Sequence, residues 1–282
     1  MLIDGRKIAA ELSAELTGRI GALGSAPGLA IVVATGDEST AWYVRSLLRT
    51  AEKLGISARR LDLPHDADAD AIRAALAEVS AQPDIHGVIC QTPLPGGLRL
   101  EDVGSAIPPA VDVDGANPVS LGLLASGSAD AFAPATAAAV LKILDHEGVD
   151  LTGRRAVVIG RSNVVGKPAA LMLLARHATV TICHSRTRDL PSVAREADVL
   201  VAAVGRPKLV TAGYVRAGAV VIDVGTNATE DGSLVGDVDT AAVEQVASAI
   251  TPVPGGVGPV TTMQLMANVV RVAESRPRDF HD

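Results

Sequence analysis

The chain has 282 residues, enough for two domains of about 100–200 residues each. Apolar residues make up 48% of it and aromatics only 2%, so its cores rest on Ala, Val, Leu and Ile, a mixture that suits parallel sheets covered by helices. The net charge of −7, with no basic stripe, argues against a nucleic-acid partner.

In chain order, the opening MLIDGRKIAA has no apolar signal core, and no apolar run approaches the ~18 residues of a membrane span. A cytoplasmic protein without membrane contact is expected. Ile8, Leu12 and Leu16 fall on one helix face. Residues 29–34 read as a buried strand, and a helix follows over 39–54 and stops at Gly55. The pattern then predicts a strand over 57–63, a helix over 67–81 and a strand over 86–90. Residues 104–128 are richer in Pro, Gly and Asp and show little periodicity, which places the domain junction there. A second alternation begins with a helix over 135–146. Four β-type runs follow, over 156–159, 179–183, 199–203 and 220–224, and a last helix over 261–275. Strands alternating with helices imply an α/β fold with parallel sheets.

Cys90 and Cys183 lie far apart in sequence, so neither a disulfide framework nor a metal site is expected. Cys183 reads as a small buried residue at a strand end. Of the six histidines, only His184 stands in a suggestive place.

The predicted strand 156–159 runs into Gly160-Arg161-Ser162-Asn163-Val164-Val165-Gly166-Lys167-Pro168 and then a helix. A glycine-bearing turn lets the backbone approach a phosphate, and a helix start offers N–H groups and a positive dipole end. The next strand ends in Cys183-His184-Ser185-Arg186-Thr187. NAD sites often carry a carboxylate there to hold the ribose hydroxyls. A hydroxyl and a guanidinium suit a 2′-phosphate instead, so NADP is favoured, with Arg161 within approach of the same group. A tight turn without a ligand remains open for the first motif alone, as does a solvated charge for Arg161 and Arg186.

Four further clusters are Tyr43, Gln91-Thr92-Pro93-Leu94-Pro95, Asp112-Val113-Asp114-Gly115, and the run from Pro252 to Pro259 with three prolines and three glycines. With GRSNVVGKP, CHSRT, DVGTN, GDVD, TPVPGGVGPVT, QTPLP and DVDG, in that family's order and spacing, the chain closely resembles the bifunctional methylenetetrahydrofolate dehydrogenase/methenyltetrahydrofolate cyclohydrolase family. The resemblance implies a V-shaped subunit and a homodimer. It implies a folate-binding first domain over residues 1–118, completed by a C-terminal segment at 261–282, and a Rossmann-like NADP domain over 119–260. It implies that Tyr43 stacks on the pterin and that Gln91 and Asp114 bond the folate head group. Gly255, Gly256 and Pro259 would then shape the cleft. Gly160, Arg161, Ser162, Gly166, His184, Ser185, Arg186 and Gly205 would serve the cofactor, with Thr226 and Thr261 near the nicotinamide. Packing inside a helix remains open for Tyr43 taken alone.

The chain also departs from that pattern. The resemblance calls for a catalytic lysine four residues after the tyrosine, and here that place is Leu47. Residues i and i+4 share a helix face, so Leu47 lies beside Tyr43. Arg45 and Arg49 point elsewhere, and Lys53 is about 15 Å along the axis. Thr92 and Thr226 stand where aliphatics are usual, Ala135 replaces a cysteine, and Asn117 replaces a histidine. Hydride transfer from 5,10-methylenetetrahydrofolate needs positioning more than a protein base. Hydrolysis of the methenyl product needs water activated, which leucine cannot do. The expectation is therefore an NADP-dependent dehydrogenase whose cyclohydrolase step is lost. A methylene transferase or Mannich-type cyclase using another acceptor is the alternative, and a non-catalytic folate- and NADP-binding protein is a third.

Overall fold

The computed structural model describes residues 1–229 and 232–276. Its chain forms two compact units, one of residues 11–135 with residues from 265 onward, the other of residues 1–10 with 136–264. Residues 277–282 of the expected C-terminal segment lie outside the described residues.

The first unit takes up most of α1 (Gly5–Gly21), then β1 (Gly28–Val33), α2 (Glu38–Leu54), β2 (Ser57–Asp62), α3 (Ala69–Ser80), β3 (Gly87–Gln91), α4 (Leu100–Val103) and α5 (Pro118–Ala125). All six residues of β1 are buried, because this strand is the middle of a parallel sheet ordered β2-β1-β3. Ile8, Leu12 and Leu16 are buried, as their shared helix face requires. The Asp37 carboxylate caps α2 by accepting the Thr40 amide at 2.7 Å, and Gly55 closes the helix in the left-handed region at φ 85°. Helix α5 lies inside the stretch read as having little periodicity. Its sequence PVSLGLLA has no polar face to betray a helix, but Pro118 at its start and an Asn117 cap define its first turn.

The second unit begins with α6 (Ala135–His146), whose bounds match the expected helix. It continues with β4 (Arg155–Ile159), α7 (Gly166–Ala175), β5 (Thr179–Cys183), α8 (Leu190–Ala194), β6 (Val199–Ala202), β7 (Val220–Asp223), β8 (Asn227–Ala228), β9 (Leu234–Val235), α9 (Thr240–Val243) and β10 (Ala249–Ile250). Five parallel strands stand in the order β10-β7-β6-β4-β5. The four expected runs are four of them. The fifth, β10, is only two residues long and escapes periodicity. The chain's first residues extend this sheet, with Ile3 N donating to Ile250 O at 2.9 Å and Ile250 N to Met1 O at 3.0 Å. Ile159, Leu200, Val221 and Ile250 are fully buried in its core, each worth about 1.5–3 kcal/mol of burial. Because β4 pairs with β5 on one side and β6 on the other, the strand order reverses there. Open α/β sheets bind ligands beyond the carboxyl ends of strands at such a point.

The last helix, α10 (Val257–Ser275), starts four residues before the expected place, inside the glycine-proline loop. Pro259 fits because a helix's first turn needs no amide there. From residue 265 onward the helix belongs to the first unit. Asn268 Nδ2 donates to Val113 O at 2.8 Å, and Arg271 Nη2 donates to Ala131 O at 2.7 Å. This is the expected return of the C-terminal helix. No described helix is long and apolar enough to cross a membrane.

Candidate active site

In the first unit the functional side chains gather at the carboxyl end of the sheet. Gln91 ends β3 opposite Val33, the end of β1, and Tyr43 lies in the second turn of the following helix. Asp112 makes a parallel bridge to Val88, so the chain runs on beside β3 and carries Asp114 toward the level of Gln91. Asp112 is fully buried and organises this loop: its carboxylate accepts the amides of Ala116 at 2.8 Å and Asn117 at 2.9 Å, and the Ser120 hydroxyl at 2.6 Å.

Asp114 is half-buried, and its carboxylate accepts the Ala135 amide. Burial, with the neighbouring charge of Asp112 added to it, pushes its carboxyl up to about 7. A group there is both donor and acceptor near neutral pH. Burial and the charge of Asp114 push the Tyr43 phenol up to about 12, so it stays protonated. The structure therefore brings Tyr43 and Asp114 into one electrostatic environment. Gln91 turns its Nε2 to Thr92 O at 2.8 Å, which leaves its Oε1 as an acceptor. Leu47 is 1% exposed. Arg45, Arg49 and Lys53 are exposed, so none shares the buried surroundings of Leu47.

In the second unit, Gly160 stands at the end of β4 with φ 139°, and a Cβ there would lie 2.2 Å from Ala203 O at the end of β6. A Cβ on Gly166 would lie 2.3 Å from Gly160 O. The two glycines let the turn fold tightly between the strand ends and the start of α7. Ser162 Oγ accepts the Val165 and Gly166 amides at 3.2 and 3.3 Å, and thereby caps that helix start. At the end of β5, His184 N donates to Thr187 Oγ1 at 2.9 Å, and Arg186 N to His184 Nδ1 at 3.2 Å. This turn leaves Ser185 and Arg186 exposed, as Arg161 is, with no carboxylate among residues 183–187. A tight glycine turn at a helix start, beside a cationic and hydroxylated strand end, fits a dinucleotide with a 2′-phosphate. Gly205, at φ 67°, and Thr226 are exposed on the loops after β6 and β7. Gly255, Gly256, Pro259 and Thr261 belong to this unit too. A Cβ on Gly5 would lie 1.8 Å from Gly256 O, so Gly256 packs against the start of α1. Thr261 Oγ1 donates back to Val257 O at 3.2 Å.

Sequence reasoning missed three buried aspartates, Asp112, Asp223 and Asp237, as loop anchors. The motifs DVDG, DVGTN and GDVD were their signal. Cys90 and Cys183 are free and buried, with the Cys90 thiol pushed up to about 12 by burial. Among the described residues no cluster of three His, Cys, Asp or Glu could hold a metal ion.

A parallel α/β unit with a phosphate turn at its topological switch, in one chain with a unit that holds a neutral-range carboxyl and a half-buried phenol, defines a nicotinamide-dependent enzyme with a separate substrate domain. The model of the tetrahydrofolate dehydrogenase/cyclohydrolase catalytic domain matches residues 3–114, and that family's NAD(P)-binding domain matches residues 134–277. The chain is 56% identical to the bifunctional protein FolD of Nocardia farcinica, over 96% of this chain and 97% of that protein. It is 58% identical to FolD of a Parafrankia species, over 96% and 98%. The structure of the bifunctional FolD dehydrogenase/cyclohydrolase of Campylobacter jejuni superposes with a TM-score of 0.95 at 36% identity, covering 98% of this chain and 99% of that one. A Trypanosoma brucei FolD structure, complexed with NADP cofactor and an inhibitor, gives 0.91 at 35% identity, covering 97% of each. The chain belongs to the tetrahydrofolate dehydrogenase/cyclohydrolase family and is an enzyme of that family.

Proposed function

We propose that this enzyme oxidises 5,10-methylenetetrahydrofolate with NADP and has lost the cyclohydrolase step. The observation that carries the second half is Leu47, buried at 1% exposure on the face of α2 that bears Tyr43. NADP supplies the hydride acceptor. The chain's own residues bind and orient. The Gly160–Gly166 turn and the start of α7 receive phosphate, and Ser185, Arg186 and Arg161 select the 2′-phosphate. Tyr43 covers the pterin, while Gln91 and Asp114 bond the head group. Asp114, pushed up to about 7, hydrogen-bonds the folate head group and orients it; the hydride passes from the methylene carbon to NADP while the folate nitrogens stabilise the developing cation, with no proton given to them. Hydride transfer survives in this arrangement because geometry carries most of it. Water activation, typically worth about 10²–10⁴-fold, has lost its amine. Thr226 and Thr261 lie toward the nicotinamide, and Gly255, Gly256 and Pro259 shape the folate side. The residue limits 1–118 with 261–282, and 119–260, remain the functional division in this reading.

The assembled form is a homodimer of a cytoplasmic enzyme. In support, β5 is a sheet edge with Thr181 and Ile182 exposed, and Leu174 on α7 is exposed as well. No observation favours the transferase or the non-catalytic reading over the dehydrogenase.

Purified protein given methylenetetrahydrofolate and NADP is expected to raise nicotinamide absorbance, while methenyltetrahydrofolate decays only at the buffer rate. Enzymatic hydrolysis above that rate overturns the loss of cyclohydrolase. Absence of any reduced nicotinamide overturns the dehydrogenase.

A further inference from the structure

The loop after β6 is built on one buried carboxylate. Asp237, fully buried, lies between β9 and α9. Its Oδ2 accepts the Val204 and Gly205 amides at 2.5 and 3.0 Å, and its Oδ1 accepts the Arg206 amide at 2.8 Å and Asn227 Nδ2 at 3.0 Å. Three consecutive amides and the loop after β7 thus converge on a single side chain.

A second buried aspartate sets Asp237 in place. Asp223, the last residue of β7, accepts the Gly225 and Asp237 amides on Oδ1 at 2.9 and 3.0 Å, and the Val238 amide on Oδ2 at 2.9 Å. Two glycines make the close approach possible. A Cβ on Gly225 would lie 2.3 Å from Asp237 Cγ, and one on Gly236 would lie 1.8 Å from Asp223 Oδ2. The β7 end therefore holds Asp237, and Asp237 holds the β6 loop, which follows directly on the Ala203 carbonyl that Gly160 packs against.

A backbone N–H that donates to a carboxylate is spent. With the amides of residues 204–206 all taken, the backbone of this loop has only carbonyl oxygens to offer a ligand. A phosphate needs donors, so the backbone here is no phosphate cradle; that task falls to the Gly160–Gly166 turn. Carbonyl oxygens suit the donor groups of the other end of the dinucleotide, the carboxamide NH₂ and the ribose hydroxyls. We infer that Asp237 is a positioning residue for the nicotinamide half of the bound dinucleotide, fixing the 204–206 loop so that it presents acceptors there. This rests on the NADP reading above.

Asp237→Asn places an NH₂ against backbone N–H groups, so part of the set is lost and the loop turns. Titrations with NADP and with adenosine 2′,5′-bisphosphate, which lacks the nicotinamide half, test this. In D237N the Kd for NADP is expected to rise about tenfold or more, the effect of losing one or two neutral hydrogen bonds between the loop carbonyls and the nicotinamide half. The Kd for adenosine 2′,5′-bisphosphate is expected to stay within about twofold of the native value, and the KM for the folate substrate to stay unchanged. Gly205→Ala, whose added methyl meets nothing within 4 Å in the protein, disturbs the same loop without touching the buried carboxylate and is expected to show the same selectivity if D237N does not fold. Equal weakening of both ligands in a folded variant, or no weakening of either, overturns the inference. Native protein that binds neither ligand overturns the NADP reading and this inference with it, a failure already visible before any variant is made.

Discussion

Both units use buried aspartates, and they use them differently. In the second unit, Asp223 and Asp237 are each surrounded by backbone amides, and their charge is spent on holding loops. In the first unit, Asp112 plays that part, but Asp114 two residues later has only the Ala135 amide and the nearby charge of Asp112, and it is pushed up to about 7. Burial raises Asp223 as well, to about 6, against the pull of its three amides, so amide coordination lowers a buried carboxyl but does not cancel its burial, and Asp114 with one amide stands higher still. Leu47 lies in the first unit with Asp114, and the second unit keeps its glycine turn and its aspartate anchors.

The largest effect expected from this contrast comes from Leu47→Lys. An amine one helical turn from Tyr43 is expected to raise methenyltetrahydrofolate hydrolysis by about 10²–10⁴-fold over the parent protein, measured as loss of methenyl absorbance. The same variant is expected to lower thermal stability, because a lysine takes the place of a buried side chain. A folded variant with no gain in hydrolysis would mean that the first unit does not hold the substrate as proposed. Next in size is Arg186→Ala in the other unit. Losing one charge-assisted phosphate contact is expected to cost about 1.5–3 kcal/mol in NADP affinity and to leave NAD affinity unchanged, read by titration with each. An equal loss for both dinucleotides would return Arg186 to a solvated surface charge.

The smallest effect is on stability. The Asp114 carboxyl is raised in the folded chain, so it disfavours folding as pH climbs from the ordinary carboxylate range through about 7. Below that range the group is protonated in both states and contributes no difference. Asp114→Asn is therefore expected to stabilise the protein at pH 8, on the order of 1–2 kcal/mol, and to give no gain at pH 3. Melting curves at the two pH values check the sign. A gain of the same size at both would separate it from ionisation.

Much of this contrast can be read from residues and some of it cannot. The run GLAIVV and the four β-type runs of the second half announce their strands through apolar, β-branched content. Gly160 and Gly166 announce the turn by their place between a strand and a helix. The strand β10 and the paired residues at the chain's start are too short for a period to show. Helix α5 is apolar with no polar face, so it reads as featureless. The anchors Asp223 and Asp237 stand in the recognisable motifs DVGTN and GDVD, but their anchoring role does not show there, for another reason. The amides that Asp237 holds lie some 31–33 residues away, and a buried aspartate looks like an exposed one until its donors are known.

The division of the chain has a consequence for how it is made. Each unit is discontinuous, and the boundaries fall inside α1, at the first residue of α6 and inside α10 rather than in loops. A Cβ on Gly87 would lie 2.8 Å from a Val269 methyl and 2.9 Å from one of Val113, which places the late helix against the early sheet. A ribosome delivers that sheet more than 170 residues before the helix segment that covers it. The first unit must therefore wait with an apolar face open until the second has been almost entirely synthesised, while residues 1–10 wait longer still for Ile250, the strand residue they pair with. Vectorial synthesis cannot complete these units one after the other; both close late, once β10 and α10 have been made.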